Sequence, residues 1–352
     1  MLTATRVRGS TLLAGYRYEM SVLRPLVALG AAALFLPGAS PATGQAGFTW
    51  REQIRVHGPQ DVIGPRADGR LVIATNDGLY LFRRGGRPMP FARGLGGYVS
   101  AGGENYAALA RDRRLSAAGC RFRRDDLYVL DPTASTGVVK IDRKGRATRF
   151  VSFPGVFLSG IAFDQVGRFG SRLLVAGRIA NQLTLYAVEC RGRAQVVLEH
   201  GPQVEGGMAV APRGFGSFGG RLVAADEFSG NVYAFDQRGG VRVLASSGLS
   251  AGADIGVESV GFVPKGFGRK ARAYLADAPA PQSPTKGTDS VLSVSGADLV
   301  RAGVRAGDLL VASEAGARTI RIRCRARCTV TEVGHGPAAT HAEGHLTVVV
   351  KR

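Results

Sequence analysis

The clearest pattern in the chain is a set of short apolar runs separated by polar punctuation. Residues 207–244 (GMAVAPRGFGSFGGRLVAADEFSGNVYAFDQRGGVRVL) hold four of them, at 208–211, 221–225, 231–236 and 241–244. The runs are rich in Val, Leu, Ala, Tyr and Phe, and each is bounded by Gly, Asp, Ser or Asn, the residues of hairpin turns. The pattern predicts a four-stranded antiparallel meander. One such meander cannot bury both of its faces, so it requires copies beside it.

The copies are present. Residues 160–198 repeat the unit, with Gly167, Phe169 and Gly170 where the first unit has Gly216, Phe218 and Gly219; a third copy starts at Val260 and carries Gly266, Phe267 and Gly268. The second strand recurs at 71–75, 127–131, 173–177, 222–226, 273–277 and 309–313, and a third strand follows each, at 79–82, 138–142, 183–189, 232–236, 291–295 and 319–323. Six copies at a period of roughly 40–50 residues predict an all-β, six-bladed β-propeller with four-stranded blades. Radial packing then protects the strand edges. Runs of helical period are scarce, and residues 297–302 are the one helix candidate. Residues 48–56 and 346–350 are both strand-like, and one or both are expected to complete the last blades and close the ring by pairing the two termini.

Residues 1–46 stand apart from this pattern. Arg24 and Pro25 precede an apolar run from Leu26 to Leu36, and small residues follow as far as Ala46. That is the layout of a secretory signal peptide, and the run is too short to cross a bilayer core of about 30 Å as a helix. Met20 is the expected initiator, with residues 1–19 a misannotated extension and cleavage after Ala46. Residues 47–352 then form a single propeller domain. The expected location is secreted, periplasmic or in the cell envelope, with no membrane span after signal cleavage.

Composition changes this picture little. The formal charge is +19, and the leader accounts for three of those charges through Arg6, Arg8, Arg17, Arg24 and Glu19. The remaining bases are scattered over hairpin turns, such as Arg83, Arg84, Arg143, Lys144, Arg191, Arg193 and Arg238, without interleaved stacking aromatics. A solvated basic surface fits this better than specific nucleic-acid recognition. Attraction to anionic cell-surface polymers follows from the charge itself. The chain is expected to be a monomer with its ligand on a propeller face.

The four cysteines suit an oxidising compartment. Cys324 and Cys328 flank a three-residue turn between two strands, which sets the sulfurs opposite each other; Cys120 and Cys190 remain as a second bridge, between the second and third blades. A four-cysteine zinc site lacks the paired Cys-x-x-Cys spacing.

Candidate chemistry lies where first strands begin, since these line a propeller's channel: Asp61, Asn105, Ser159, Glu205 and Glu258. Buried carboxylates at Glu205 and Glu258 require a pairing charge or a cation. The expected metal site is Glu205, Glu258, Asp61 and Asn105 around Ca²⁺, or Zn²⁺. An alternative metal set is His341, Glu343 and His345, which share one face if the segment is a strand. No nucleophile elbow, phosphate loop or dinucleotide fingerprint is present.

The strand at 207–210, the strand at 222–226 and the segment 230–236 resemble the six-bladed propeller superfamily of NHL-repeat proteins, the gluconolactonase and regucalcin-like group and strictosidine-synthase-like proteins. The resemblance covers roughly residues 58–333 and is architectural. In the gluconolactonase group a Pro-Asp-Gly-Met-like motif carries a metal-binding, catalytic aspartate. The matching stretch here is Glu205-Gly206-Gly207-Met208, with Gly206 where that aspartate belongs. Two functions remain open: a non-catalytic binding or scaffold protein using a propeller face, and a metal-dependent hydrolase of the lactonase or esterase type using channel carboxylates.

Overall fold

The computed structural model describes residues 47–100, 102–132 and 136–350. The expected leader and its extension, residues 1–46, lie outside the described residues. Among the described residues no helix is long and apolar enough to cross a membrane.

The described chain opens on β1 (Phe48–Thr49) and β2 (Arg51–Arg55), which join the last sheet. Four antiparallel meanders follow. The first is β3 (Pro59–Ile63), β4 (Leu71–Thr75), β5 (Gly78–Phe82) and β6 (Met89–Phe91). The second starts with β7 (Ala107–Leu109). It is interrupted by a hairpin of β8 (Arg113–Leu115) and β9 (Cys120–Phe122), then continues as β10 (Leu127–Asp131), β11 (Gly137–Ile141) and β12 (Ala147–Ser152). The third is β13 (Phe157–Phe163), β14 (Leu173–Ile179), β15 (Gln182–Val188) and β16 (Ala194–Gly201). The fourth is β17 (Glu205–Val210), β18 (Leu222–Asp226), β19 (Asn231–Phe235) and β20 (Val241–Ser246).

The remaining strands are β21 (Val257–Phe262), β22 (Arg272–Asp277), β23 (Ser290–Ser295), β24 (Leu309–Ser313), β25 (Thr319–Cys324), β26 (Cys328–His335) and β27 (Ala342–Val349), with the helix α1 (Gly296–Arg301) between β23 and β24. They form one nine-stranded sheet in the order β1-β26-β25-β24-β21-β27-β22-β23-β2. This departs from the expected six separate blades: four stand as separate four-stranded sheets, and the other strands share one. The expected pairing of 260–262 with 273–277 does not form. β21 pairs with β24 instead, and β22 pairs with β23 and β27. Repeats mark where strands lie in the sequence but carry no information on which neighbour each one meets.

The termini also behave differently from expectation. β2 pairs with β23 on one outer edge, β27 takes a central position beside β22, and β1 runs parallel to β26 on the other edge. Both ends enter the same sheet without pairing to each other. Trp50, 1% exposed, fixes the N-terminal segment by donating its indole N–H to Thr319 Oγ1 at 2.8 Å.

The arrangement is propeller-like. The innermost strands touch in cyclic order, β3 to β7, β13, β17, β21, β27 and back to β3. Apolar layers fill the space between neighbouring sheets: Val72 and Ala74 against Leu127 and Val129, Tyr128 and Leu130 against Ile161 and Val175, and Leu174 and Ala176 against Met208 and Leu222. Val223 and Ala225 pack on Val260 and Val311, while Val62 and Ile73 pack on Tyr274 and Ala276. A last layer lies inside the nine-stranded sheet, where Leu275 and Leu292 meet Leu310 and Ala312. The second strands β4, β18 and β24 are buried along their whole length, as residues covered on both faces must be, whereas β12, β16 and β20 are largely exposed. Each fully buried Val or Leu in these layers contributes roughly 1.5–3 kcal/mol.

Both expected cysteine pairs are joined, Cys120 to Cys190 and Cys324 to Cys328. The first ties the β8–β9 hairpin to the end of β15, and beneath it Phe122 packs edge-to-face on Tyr128 and Phe163. The second closes the β25–β26 turn, where Cys324 stands directly opposite Cys328.

Candidate functional site: an acidic cluster among the innermost strands

The innermost strands are irregular. β3, β13, β17 and β21 each slip register against the strand they pair with, and β27 does so against β22. A bulge frees one residue from the ladder and re-aims its side chain. In β21 the residue so freed is Glu258, between Val257 and Ser259. Glu205, in contrast, keeps its place opposite Ala225. The two glutamates that look equivalent in the sequence therefore sit differently.

Glu258 meets Glu314 and Glu343. The three are 2%, 5% and 6% exposed, and one carboxylate oxygen from each lies within 4.8 Å of the other two. Glu314 follows β24 directly. Its N–H donates to Gly256 O at 2.8 Å, and its carbonyl accepts from Ala342 N at 2.9 Å, so its backbone is held from both sides. The fully buried Tyr106 hydroxyl lies 2.7 Å from Glu258 Oε1 and 2.6 Å from Glu343 Oε2. One hydroxyl hydrogen serves only one of those oxygens. Among the described residues no hydrogen-bond donor reaches Glu314 Oε2 or Glu104 Oε2, although both atoms are buried. Acceptors here outnumber donors.

The electrostatics follow. Burial first, then the charge of Glu343, pushes the Glu258 carboxyl well above the usual carboxylate range. Burial and Glu343 likewise push Glu314 up to about 11. Glu104 is raised well above its ordinary value by burial and by the facing Glu205. Burial also raises Glu205 and Glu227, against the opposing pull of their carboxyl partners. One guanidinium, Arg178, lies over the Phe157 ring and reaches Glu205 Oε1 at 3.2 Å. Carboxylates this close cannot all be ionised unless a cation joins them.

A histidine borders the cluster. His341 Nε2 is 3.1 Å from Glu343 Oε1 and 3.6 Å from Glu314 Oε1, and its Nδ1 is 3.2 Å from Ser283 Oγ. Asp254, exposed on the loop before β21, completes a second group with Glu314 and His341, again with donor atoms within 4.8 Å of one another.

The expected ligand sets are divided by this geometry. Of Glu205, Glu258, Asp61 and Asn105, only Glu258 enters the three-carboxylate group. Glu205 is turned to Arg178 and Glu104. Asp61 accepts from Ala107 N, His345 N and His345 Nδ1, at 2.8 to 2.9 Å, so its oxygens are engaged. Asn105 donates its amide to Thr75 O and Ser100 Oγ. Of His341, Glu343 and His345, the first two meet, whereas His345 faces Asp61 and Ile161 O. The single-face arrangement fails because β27 is not regular there: Gly344 has φ +64° and three residues oppose Leu275 alone. Ser159, the fifth first-strand candidate, is buried at the bulge of β13.

Glu104, Glu227, Glu314, Tyr106 and Asp254 did not emerge from the sequence. A signal existed: Asp226-Glu227 and Ser313-Glu314 both place a glutamate at the end of a second strand, beside the start of a first strand.

Gly206 has a physical explanation. Its φ is +75°, and a Cβ there would stand 2.3 Å from Glu258 Cγ and Oε1. The Glu258 carboxylate occupies the space an aspartate at 206 would need.

No family model matches the chain, and none of the curated proteins does. Among solved structures it is similar to virginiamycin B lyase from Staphylococcus aureus, at 10% identity over 80% of this chain and 73% of that one, with a TM-score of 0.45. It is also similar to a gluconolactonase from Xanthomonas campestris, at 15% identity over 66% and 71%, with a TM-score of 0.39.

Proposed function

We propose that the chain is an exported β-propeller that binds a divalent cation of the calcium class through Glu258, Glu314 and Glu343, and acts as a non-catalytic binding protein. The nine-stranded sheet is read as a fifth and a sixth blade that exchange strands, since its two halves carry an apolar layer between them like any two neighbouring sheets. The two disulfides support an oxidising location, secreted, periplasmic or on the cell envelope.

The observation that carries the cation is the buried group of three carboxylates with an acceptor oxygen that no donor reaches. All-oxygen, carboxylate-rich coordination is the preference of calcium. The cation removes the repulsion, and the nine-stranded sheet holds the ligands from three different segments. A binding rather than hydrolytic role is favoured by Gly206: the residue that is an aspartate in the lactonase-type motif has no side chain here, and the Glu258 carboxylate that fills its space belongs to the proposed cation site. The arginine-rich outer surface is proposed to attract anionic cell-surface polymers through charge alone.

Thermal denaturation of chelator-stripped protein tests the reading. Ca²⁺ should raise the melting temperature, because a ligand specific to the folded state must stabilise it. The pair Glu258→Gln and Glu343→Gln should remove that rise. An unchanged melting temperature in the wild-type protein with Ca²⁺ refutes the cation. Turnover of lactone or ester substrates that depends on Ca²⁺ would favour the hydrolase instead.

A further inference from the structure

We infer that Asp254, Glu314 and His341 form a second metal site, for a borderline divalent ion of the zinc or cobalt class, bridged to the calcium-class site by Glu314. This rests on the cation reading above, and it adds a different ion, a different donor set and a route to solvent.

The argument starts at Ser283, which is 3% exposed. Its hydroxyl donates to Asp254 O at 3.3 Å and accepts from Thr285 N at 3.3 Å. Ser283 Oγ lies 3.2 Å and Thr285 Oγ1 3.5 Å from His341 Nδ1, so that nitrogen is engaged by hydroxyls. Nε2 is then the coordinating atom, and it is the one that faces the Glu314 and Glu343 carboxylates. A metal-bound histidine is generally oriented by a hydrogen bond at its other nitrogen, and Ser283 supplies one.

The other two ligands are pre-set as well. Asp254 N donates to Glu227 Oε2 at 3.0 Å, which fixes the loop that carries the Asp254 carboxylate. The Glu314 backbone is bonded to Gly256 on that loop and to Ala342 beside His341, so one residue is held by the two segments that bear its partners. Glu314 is 5% exposed, and no donor reaches its Oε2. Its carboxylate belongs to both groups, and a carboxylate with two oxygens can serve two ions.

The donor types separate the sites. Glu258, Glu314 and Glu343 are hard oxygen ligands, suited to calcium. One imidazole nitrogen with two carboxylates suits zinc and its neighbours. Three protein ligands leave a coordination position open, and Asp254 is exposed, so that position faces solvent.

Cobalt provides the probe, because its visible absorption reports nitrogen and oxygen coordination. Purified exported protein is stripped by chelator and titrated with Co²⁺, with and without Ca²⁺. One equivalent of Co²⁺ should bind with a visible band. Asp254→Asn and His341→Gln should each weaken Co²⁺ at least tenfold and keep the Ca²⁺-induced rise in melting temperature. Ser283→Ala should weaken Co²⁺ about tenfold, as loss of an orienting partner does. Glu258→Gln should do the reverse, losing the Ca²⁺ effect and keeping Co²⁺. Co²⁺ bound equally by wild type, Asp254→Asn and His341→Gln overturns the second site and leaves the calcium reading intact. So does a normal Ca²⁺ effect with no Co²⁺ bound. Absence of both ions overturns both. If His341→Gln does not fold, Asp254→Asn, on an exposed loop, decides.

Discussion

His341, just before β27, and His345, within it, each meet a buried carboxylate, yet the two pairs are built differently. Around Asp61 and His345 the hydrogen bonds close. Both Asp61 oxygens accept, and His345 Nε2 has Ile161 O at 3.1 Å. Both ring nitrogens face acceptors, an arrangement that favours the protonated ring and raises its pKa against the opposing effect of burial, and the contacts join three inner strands, β3, β13 and β27. Around His341 the bonds do not close. Glu343, Glu314, Glu258 and Tyr106 supply more acceptors than hydrogens. A satisfied buried pair holds structure together, whereas an unsatisfied one is a standing demand for a positive charge.

The strongest test of this contrast is pH. In the metal-free protein Glu104, Glu258 and Glu314 have raised values, so the folded state holds protons that the unfolded state has released. The stability these three groups contribute is full below about pH 4.5, near their unfolded values, and is lost as pH rises towards their folded values. His345, raised by Asp61 against burial, acts in the same direction above about pH 6.5. Denaturant titrations at pH 5 and pH 8 in chelator should show the lower midpoint at pH 8, and Ca²⁺ should narrow the gap. Equal midpoints would remove the distinction.

Substitution comes next. Asp61→Asn takes a hydrogen-bonded buried partner from His345 and Ala107 and should cost roughly 3 kcal/mol, with no rescue by Ca²⁺. Glu343→Gln removes one of several repelling groups and should leave the metal-free protein as stable as wild type or more so. Equilibrium unfolding of the two variants measures this, and equal losses would contradict it. The smallest expected effect is at Gly206. Gly206→Ala forces a residue with a Cβ to φ +75° and pushes Glu258 aside. It should cost about 1 kcal/mol and blunt the Ca²⁺-induced rise in melting temperature, while an unaltered rise would show that Glu258 does not need its present position.

Much of this fold was legible in the sequence. The four separate meanders, including that at 207–244, and the Cys324–Cys328 bridge follow from punctuation and spacing, and Cys120–Cys190 follows as the remaining pair. The pairing of β21 with β24 was not legible, because residues 260–277 carry the same apolar runs whether or not the strands they form pair. The site was half legible for a related reason. Glu258 and Glu343 stand out as acids beside apolar strands, but their convergence depends on bulges, and a bulge of one residue leaves no periodic trace. Asp61 looked like a ligand because it begins a strand; only the fold shows its oxygens already engaged by Ala107 and His345.

The N-terminal strands have a consequence for how the chain reaches its folded state. Trp50 bonds to a residue 269 positions later, and β1 and β2 find partners only in β26 and β23. The nine-stranded sheet is thus an assembly of the first and last segments of the domain. Contacts of such long range close late and slow the search. The four local meanders can form as each emerges, while β21 waits for β24 with its long edge uncovered. The Cys120–Cys190 bridge forms only where the thiols can oxidise. The sheet that joins the two ends of the described chain is also the one whose strand β27 carries Glu343 to the acidic cluster.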